Sequence, residues 1–108
     1  MNNNARIKAL LGMLAQEPED EFLNYALGLE YANDSSSYAL AEAQFLKVLT
    51  NNVNYIAAYY QLGQLYAAMN NKEKALNTLQ QGLQAAKLQK NNKAINEINE
   101  AIFLLEDD

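Results

Sequence analysis

One stretch of the chain is written twice. Leu62, Gly63 and Tyr66 recur as Leu27, Gly28 and Tyr31, 35 residues earlier. Ala75, Leu79 and Gly82 recur as Ala41, Phe45 and Val48, 34 residues earlier. A period in this range restricts a chain to stacked supersecondary units, because each unit buries its apolar face only against a neighbouring copy. The one-residue mismatch falls between the two helices of the first copy, where Asp34-Ser35-Ser36-Ser37 is longer than Asn70-Asn71. A glycine inside a helix costs about 1 kcal/mol relative to alanine. Gly28 and Gly63 therefore predict a partner helix in close approach, with the small Ala41 and Ala75 on that partner. Tyr59, Leu62 and Tyr66 share one helical face and are expected to fill the space between the pair.

The pattern L-G-x-x-Y followed by A-x-x-x-F, at a period near 34, resembles the tetratricopeptide repeat. The resemblance covers residues 21–88 as two full repeats. It also reaches upstream, because Pro18 stands where the family places its repeat-ending proline. The sequence departs from the pattern at Asn24, where Tyr59 supplies a large aromatic in the second copy, and at Val53 and Lys87, where proline is usual. The resemblance implies an all-α fold, a right-handed α-α superhelix of tetratricopeptide-type helix pairs. It divides a single domain over 1–108 into a half repeat (1–18), two repeats (21–55 and 56–89) and a capping helix (92–106). Three pairs' worth of stacking is about the minimum for a stable array, so the expectation is a complete small array.

Composition narrows the function. The formal charge of −5 argues against a general nucleic-acid binder, which needs a basic face for phosphates. No apolar run approaches the roughly 20 residues that span a bilayer. The run Ala9 to Leu14 is too short for a secretory core and has no clear cleavage site, so a cytoplasmic location is expected. The chain has no cysteine and no histidine. That excludes disulfides, thiolate metal sites and any histidine-activated nucleophile. With no glycine-rich phosphate loop and no carboxylate pair in an apolar pocket, the chain is not read as an enzyme and no cofactor is expected.

The helices follow from periodicity and punctuation. The first is expected from Asn4 to Gln16, with Asn2, Asn3 or Asn4 as cap and Ile7, Leu10, Leu11 and Leu14 as its apolar stripe. Glu17, Glu19, Asp20 and Glu21 precede or open the second, Glu19–Asn33, and suit its N-terminal dipole better than they suit a metal. Ser36 or Ser37 is expected to cap a third helix ending near Thr50, and Asn54 a fourth over Tyr55–Met69. Asn70 or Asn71 is expected to adopt the left-handed conformation. A fifth helix follows over Lys72–Gln89, where Lys87, Lys90 and Lys93 suit a helix C-terminus. The sixth, Lys93–Glu106, is expected to bury Ala94, Ile95, Ile98, Ile102 and Leu105 behind a polar outer face, as a terminal cap must. Phe103 and Leu104 project away from that stripe.

The first helix of each pair has a second face. In one it carries Phe22, Tyr25, Leu29 and Ala32; in the other, Ala57, Tyr60, Gln64 and Ala67. An apolar second face is more than a one-sided surface helix needs. The family resemblance implies that such faces line a concave groove for an extended peptide or a helix, with Phe22, Tyr25, Leu29, Asn33, Tyr60 and Gln64 as the candidates. It also implies that a clamp for an acidic C-terminus is absent, since Tyr25, Leu29, Tyr60 and Gln64 occupy the clamp positions. The expected partner is another protein or a peptide segment, apolar or mildly basic, and not nucleic acid or membrane. The alternative is self-association, a homo-oligomer through the same groove or the C-terminal helix. A third arrangement covers these residues within the domain.

Overall fold

A computed structural model describes residues 4–107 of the chain. Among them all regular structure is helical: α1 (Asn4–Gln16), α2 (Glu21–Tyr31), α3 (Tyr38–Asn51), α4 (Ile56–Ala68), α5 (Lys72–Leu88) and α6 (Asn92–Glu106), with a 3-10 turn over Ser35–Ser37. The helices fall into two units, Met1–Asn52 and Val53–Asp108.

In the first unit the expected close approach is present. A Cβ added to Gly28 would lie 2.6 Å from Cε1 of Phe45, a fully buried ring of α3. On the other side of α2, Leu10 and Leu14 of α1 form a cluster with Leu27, edged by Ile7, Leu23, Ala26 and Tyr31. Leu11 is not part of it. Expected in the stripe, it is 47% exposed. Residues 7, 10 and 14 lie along one line of the helix, and a helix seated on a single neighbour buries only a narrow line. Asn2 and Asn3 lie outside the described residues, and Asn4 is the first residue of α1.

Two boundaries move for local reasons. α2 begins at Glu21 because Asp20 has an extended backbone and its carboxylate accepts the Leu23 amide at 2.8 Å, which satisfies one of the free N–H groups of the first turn. The cap expected of a serine before α3 is supplied further back. Asp34 accepts from the Ser36 amide at 3.1 Å and starts the 3-10 turn, while Ser37 precedes α3 with no side-chain cap bond.

Asn24, the departure from the repeat pattern, is 2% exposed. Its Nδ2 donates to the carbonyls of Pro18 (3.1 Å) and Asp20 (2.8 Å). Its counterpart Tyr59 donates its hydroxyl to the Val53 carbonyl at 2.8 Å. Both side chains reach back six residues to the equivalent carbonyl, so an amide and a phenol do the same job. The space is balanced elsewhere. A Cβ on Gly82 would meet the Tyr59 Cβ at 2.6 Å, and the corresponding pair in the first unit is Asn24 with Val48, smaller at one position and larger at the other.

In the second unit Gly63 lies against Leu79, whose Cδ2 would be 2.6 Å from an added Cβ. The core comprises Leu79, Leu83, Ala86, Ile98, Ala101 and Ile102. Ala101 joins the expected face of α6, whereas Ala94, Ile95 and Leu105 sit at its half-buried edge. Tyr55, not Asn54, stands at the cap position of α4. Asn70 adopts the left-handed conformation (φ 61) and Asn71 caps α5. The second asparagine pair works one residue out of step. Lys90 takes the left-handed position (φ 56), and Asn91 caps α6 while its own amide donates to Ala86 at 3.0 Å. Of the three lysines expected at a helix C-terminus, Lys87 is in the last turn of α5 and Lys90 just beyond it, whereas Lys93 falls in the first turn of α6, where the dipole does not favour a cation. Phe103 and Leu104 point outward, 65% and 62% exposed.

Candidate interaction surface

The second face of α2 carries Phe22, Tyr25 and Leu29 at spacings of three and four, so the three side chains follow one another along the helix. Phe22 is 65% exposed. Tyr25 and Leu29 are half-buried, and Asn33, just past the helix end, is exposed. Tyr25 already has one aromatic neighbour: its ring lies 5.9 Å from that of Phe45, tilted by 50°, within the range of favourable aromatic pairs. It is therefore held in place by the α2–α3 core and presents only part of its ring.

On α4 the corresponding positions are Ala57, Tyr60, Gln64 and Ala67. Tyr60 is half-buried against the α5–α6 core, and Gln64 is exposed. The candidates thus comprise three residues on one face of α2 with Asn33 beyond it, and an i, i+4 pair on α4.

The acidic corner before α2 is engaged in structure. Asp20 caps the helix. Glu19 accepts from the Asn51 amide at 2.8 Å and lies 3.8 Å from the Lys47 ammonium. Glu21 accepts from the Asn52 amide at 3.0 Å. Two asparagines at the end of α3 thereby tie down the start of α2, contacts that no local pattern announces. Glu30 is buried and pairs with Arg6 of α1 at 3.0 Å. Among the described residues no three acids converge as metal ligands, and no helix is long and apolar enough to cross a membrane.

One feature escaped sequence reasoning. Met13 and Gln16 of α1, Glu17, Asp20, and Phe22 and Leu23 of α2 line an open recess of about 420 Å³. Its apolar walls are side chains that a strictly amphipathic α1 and α2 would not expose. The available signal was Met13, an apolar residue off the stripe of its helix.

No family model matches the sequence, and no curated protein matches it. Solved structures do. The chain is 30% identical to a tetratricopeptide repeat domain protein from Salinibacter ruber, whose solution structure matches it with a TM-score of 0.76 over 82% of this chain and 89% of that one. The chain belongs to the tetratricopeptide repeat family. A crystal structure of a tetratricopeptide domain protein from the same organism gives 0.73 at 29% identity, over 81% of this chain and 96% of that one. The tetratricopeptide fold is shared as well with the TPR2B domain in the TPR2B-domain:pHsp70 complex of yeast Sti1, with a TM-score of 0.85 at 22% identity over 94% of this chain and 80% of that chain. The departure from the family pattern at Asn24 is met by its hydrogen bonds to the Pro18 and Asp20 carbonyls.

Proposed function

We propose that the chain is a cytoplasmic, non-enzymatic protein–protein interaction module. It binds a peptide or a helix in a concave apolar and aromatic groove lined by Phe22, Tyr25, Leu29, Asn33, Tyr60 and Gln64, within a single array over 1–108. The observation that carries the reading is the second apolar face of α2, with Phe22 exposed beside Tyr25 and Leu29. A helix needs one apolar face to fold, and aromatic side chains on another give contact area at little rotamer entropy. The Sti1 domain, which shares the fold, is described in complex with pHsp70. An acidic C-terminal peptide is a poor ligand for this chain, because no positive charge stands among the groove candidates. An apolar or mildly basic segment suits an acidic chain better.

One short groove gives an affinity in the range of about 1 µM or weaker. Fluorescence anisotropy with labelled apolar-basic peptides tests the reading. Tyr60→Ala and Leu29→Lys are expected to abolish binding while the helical circular dichroism persists; binding indifferent to both changes refutes it. A second reading, self-association through this groove or the C-terminal helix, draws on the exposed Phe103 and Leu104. It is separated from the first by asking whether Leu29→Lys yields a folded monomer from an oligomer.

A further inference from the structure

Leu88 is the most exposed large apolar side chain among the described residues, at 80%. It ends α5, and the core of its unit makes no use of it. Lys87 and Lys90 flank it, Lys93 follows, and no acidic residue occurs between Glu73 and Glu97. The segment is a hydrogen-bonded turn. The Lys90 amide donates to Lys87 (3.1 Å), the Asn91 amide to Ala86 (3.0 Å), and the Gln89 side chain to the Asn54 carbonyl (2.7 Å). Lys93 is engaged with Glu97 at 3.5 Å, which leaves Lys87 and Lys90 as the charges beside the leucine.

The recess beside α1 is its complement. Met13, 49% exposed, and Phe22 form apolar walls, and Glu17 and the helix-capping Asp20 belong to the lining. No cationic residue occurs between Lys8 and Lys47. Residues 1–52 hold seven carboxylates against Arg6, Lys8 and Lys47, so this unit carries −4 of the chain's −5. An apolar knob beside two lysines and an apolar hollow with two acidic residues on its lining thus occur on one chain.

We propose that the occupant of the recess is a second copy of this chain, docked by its Leu88 turn, with Lys87 and Lys90 facing Glu17 and Asp20. The two surfaces differ, so the contact is head-to-tail, and each added copy presents a fresh recess or a fresh turn. Growth beyond a dimer follows unless the rotation closes a ring. The preformed turn reduces the ordering cost of docking. The contact is nevertheless small, so association is weaker than about 1 µM and weakens with salt as the facing charges are screened.

Sedimentation velocity over a hundredfold range of concentration, at low and high salt, tests this on the full chain. The wild type is expected to grow past dimer as concentration rises and to dissociate in high salt. Leu88→Glu and Met13→Lys are each expected to be monomeric with unchanged circular dichroism, since both positions are exposed. Mixed one to one, they are expected to form dimers and nothing larger, because only one recess and one turn remain compatible. A wild type monomeric at the highest concentration, association indifferent to salt, single variants that still associate, or a mixture that stays monomeric each overturns the inference. Neither variant is a groove candidate, so a wild type that stays monomeric yet binds peptide strikes this inference alone. Persistent self-association with no groove-dependent peptide binding strikes the other reading.

Discussion

The four glycines of this chain are expected to respond to alanine in opposite directions, and the structure sets the sign of each. All occur inside helices with no positive φ, so each replacement gains about 0.8–1.0 kcal/mol of helix propensity. At Gly12 nothing lies within 4 Å of the new Cβ. Gly12→Ala should therefore keep the whole gain and raise stability by just under about 1 kcal/mol. At Gly82 the new Cβ meets the Cβ of Tyr59 at 2.6 Å, against an ordinary carbon–carbon contact of about 3.5–4.0 Å. That neighbour is fixed to its own backbone and cannot swing away, so α4 and α5 must part by about 1 Å. Overpacking of this kind costs about 1–3 kcal/mol, and a rigid neighbour places it in the upper half of the range. Set against the propensity gain, Gly82→Ala should lose about 1–2 kcal/mol. Gly63→Ala is expected to lose less, because the Leu79 side chain it meets can change rotamer; Gly28→Ala, against the buried Phe45 ring, falls between. Urea unfolding followed by far-ultraviolet circular dichroism measures all four, read as a shift in midpoint at constant slope. A Gly82→Ala protein stabilised as much as Gly12→Ala would refute the argument that these helices are at contact distance.

Asn24→Leu removes the donor to the Pro18 carbonyl and should destabilise the chain by about 1–3 kcal/mol in the same urea assay, as an acceptor left without its bond does. Tyr59→Phe, which loses the bond to the Val53 carbonyl, should cost about 1 kcal/mol. It should also change the response to alkali. Burial holds the Tyr59 hydroxyl above the usual tyrosine range, so the unfolded chain gives up this proton first. The contribution is complete below pH about 10 and is lost as pH rises through the folded value, so Tyr59→Phe should show a shallower loss of stability in a urea series above that pH. Lys90→Gly should stabilise by about 1 kcal/mol, since a lysine with φ 56 bears the left-handed strain that glycine lacks. Asn70→Gly should gain less, because asparagine tolerates that region, and thermal melts of the two variants give the comparison.

The elements were largely legible in the residues. Apolar spacing at a helical period, written twice with glycine and alanine at matching places, specifies which side of each helix meets its partner, and the Gly28–Phe45 and Gly63–Leu79 contacts follow from it. Boundaries were legible to within about two residues. They moved where capping was decided by a carboxylate, at Asp20 and Asp34. The split of α2 and α4 into two faces was visible in the sequence. The degree of cover was not: Tyr25 rests partly on Phe45 and Tyr60 partly on the α5–α6 core.

The sequence by itself determined that this chain forms helices, that they pair in the tetratricopeptide manner, and that no histidine or thiolate is present. Periodicity is a local property of the backbone, and a repeat records it twice. Tertiary structure decided what depends on distant partners. It exposed Leu11 where α1 meets a single neighbour, and turned Asn24 inward to serve the carbonyl that a phenol serves in the next repeat. It bound Glu19 and Glu21 to Asn51 and Asn52, more than thirty residues away. A side chain's exposure and hydrogen-bond partners depend on what folding brings beside it, and spacing along one helix does not carry that information.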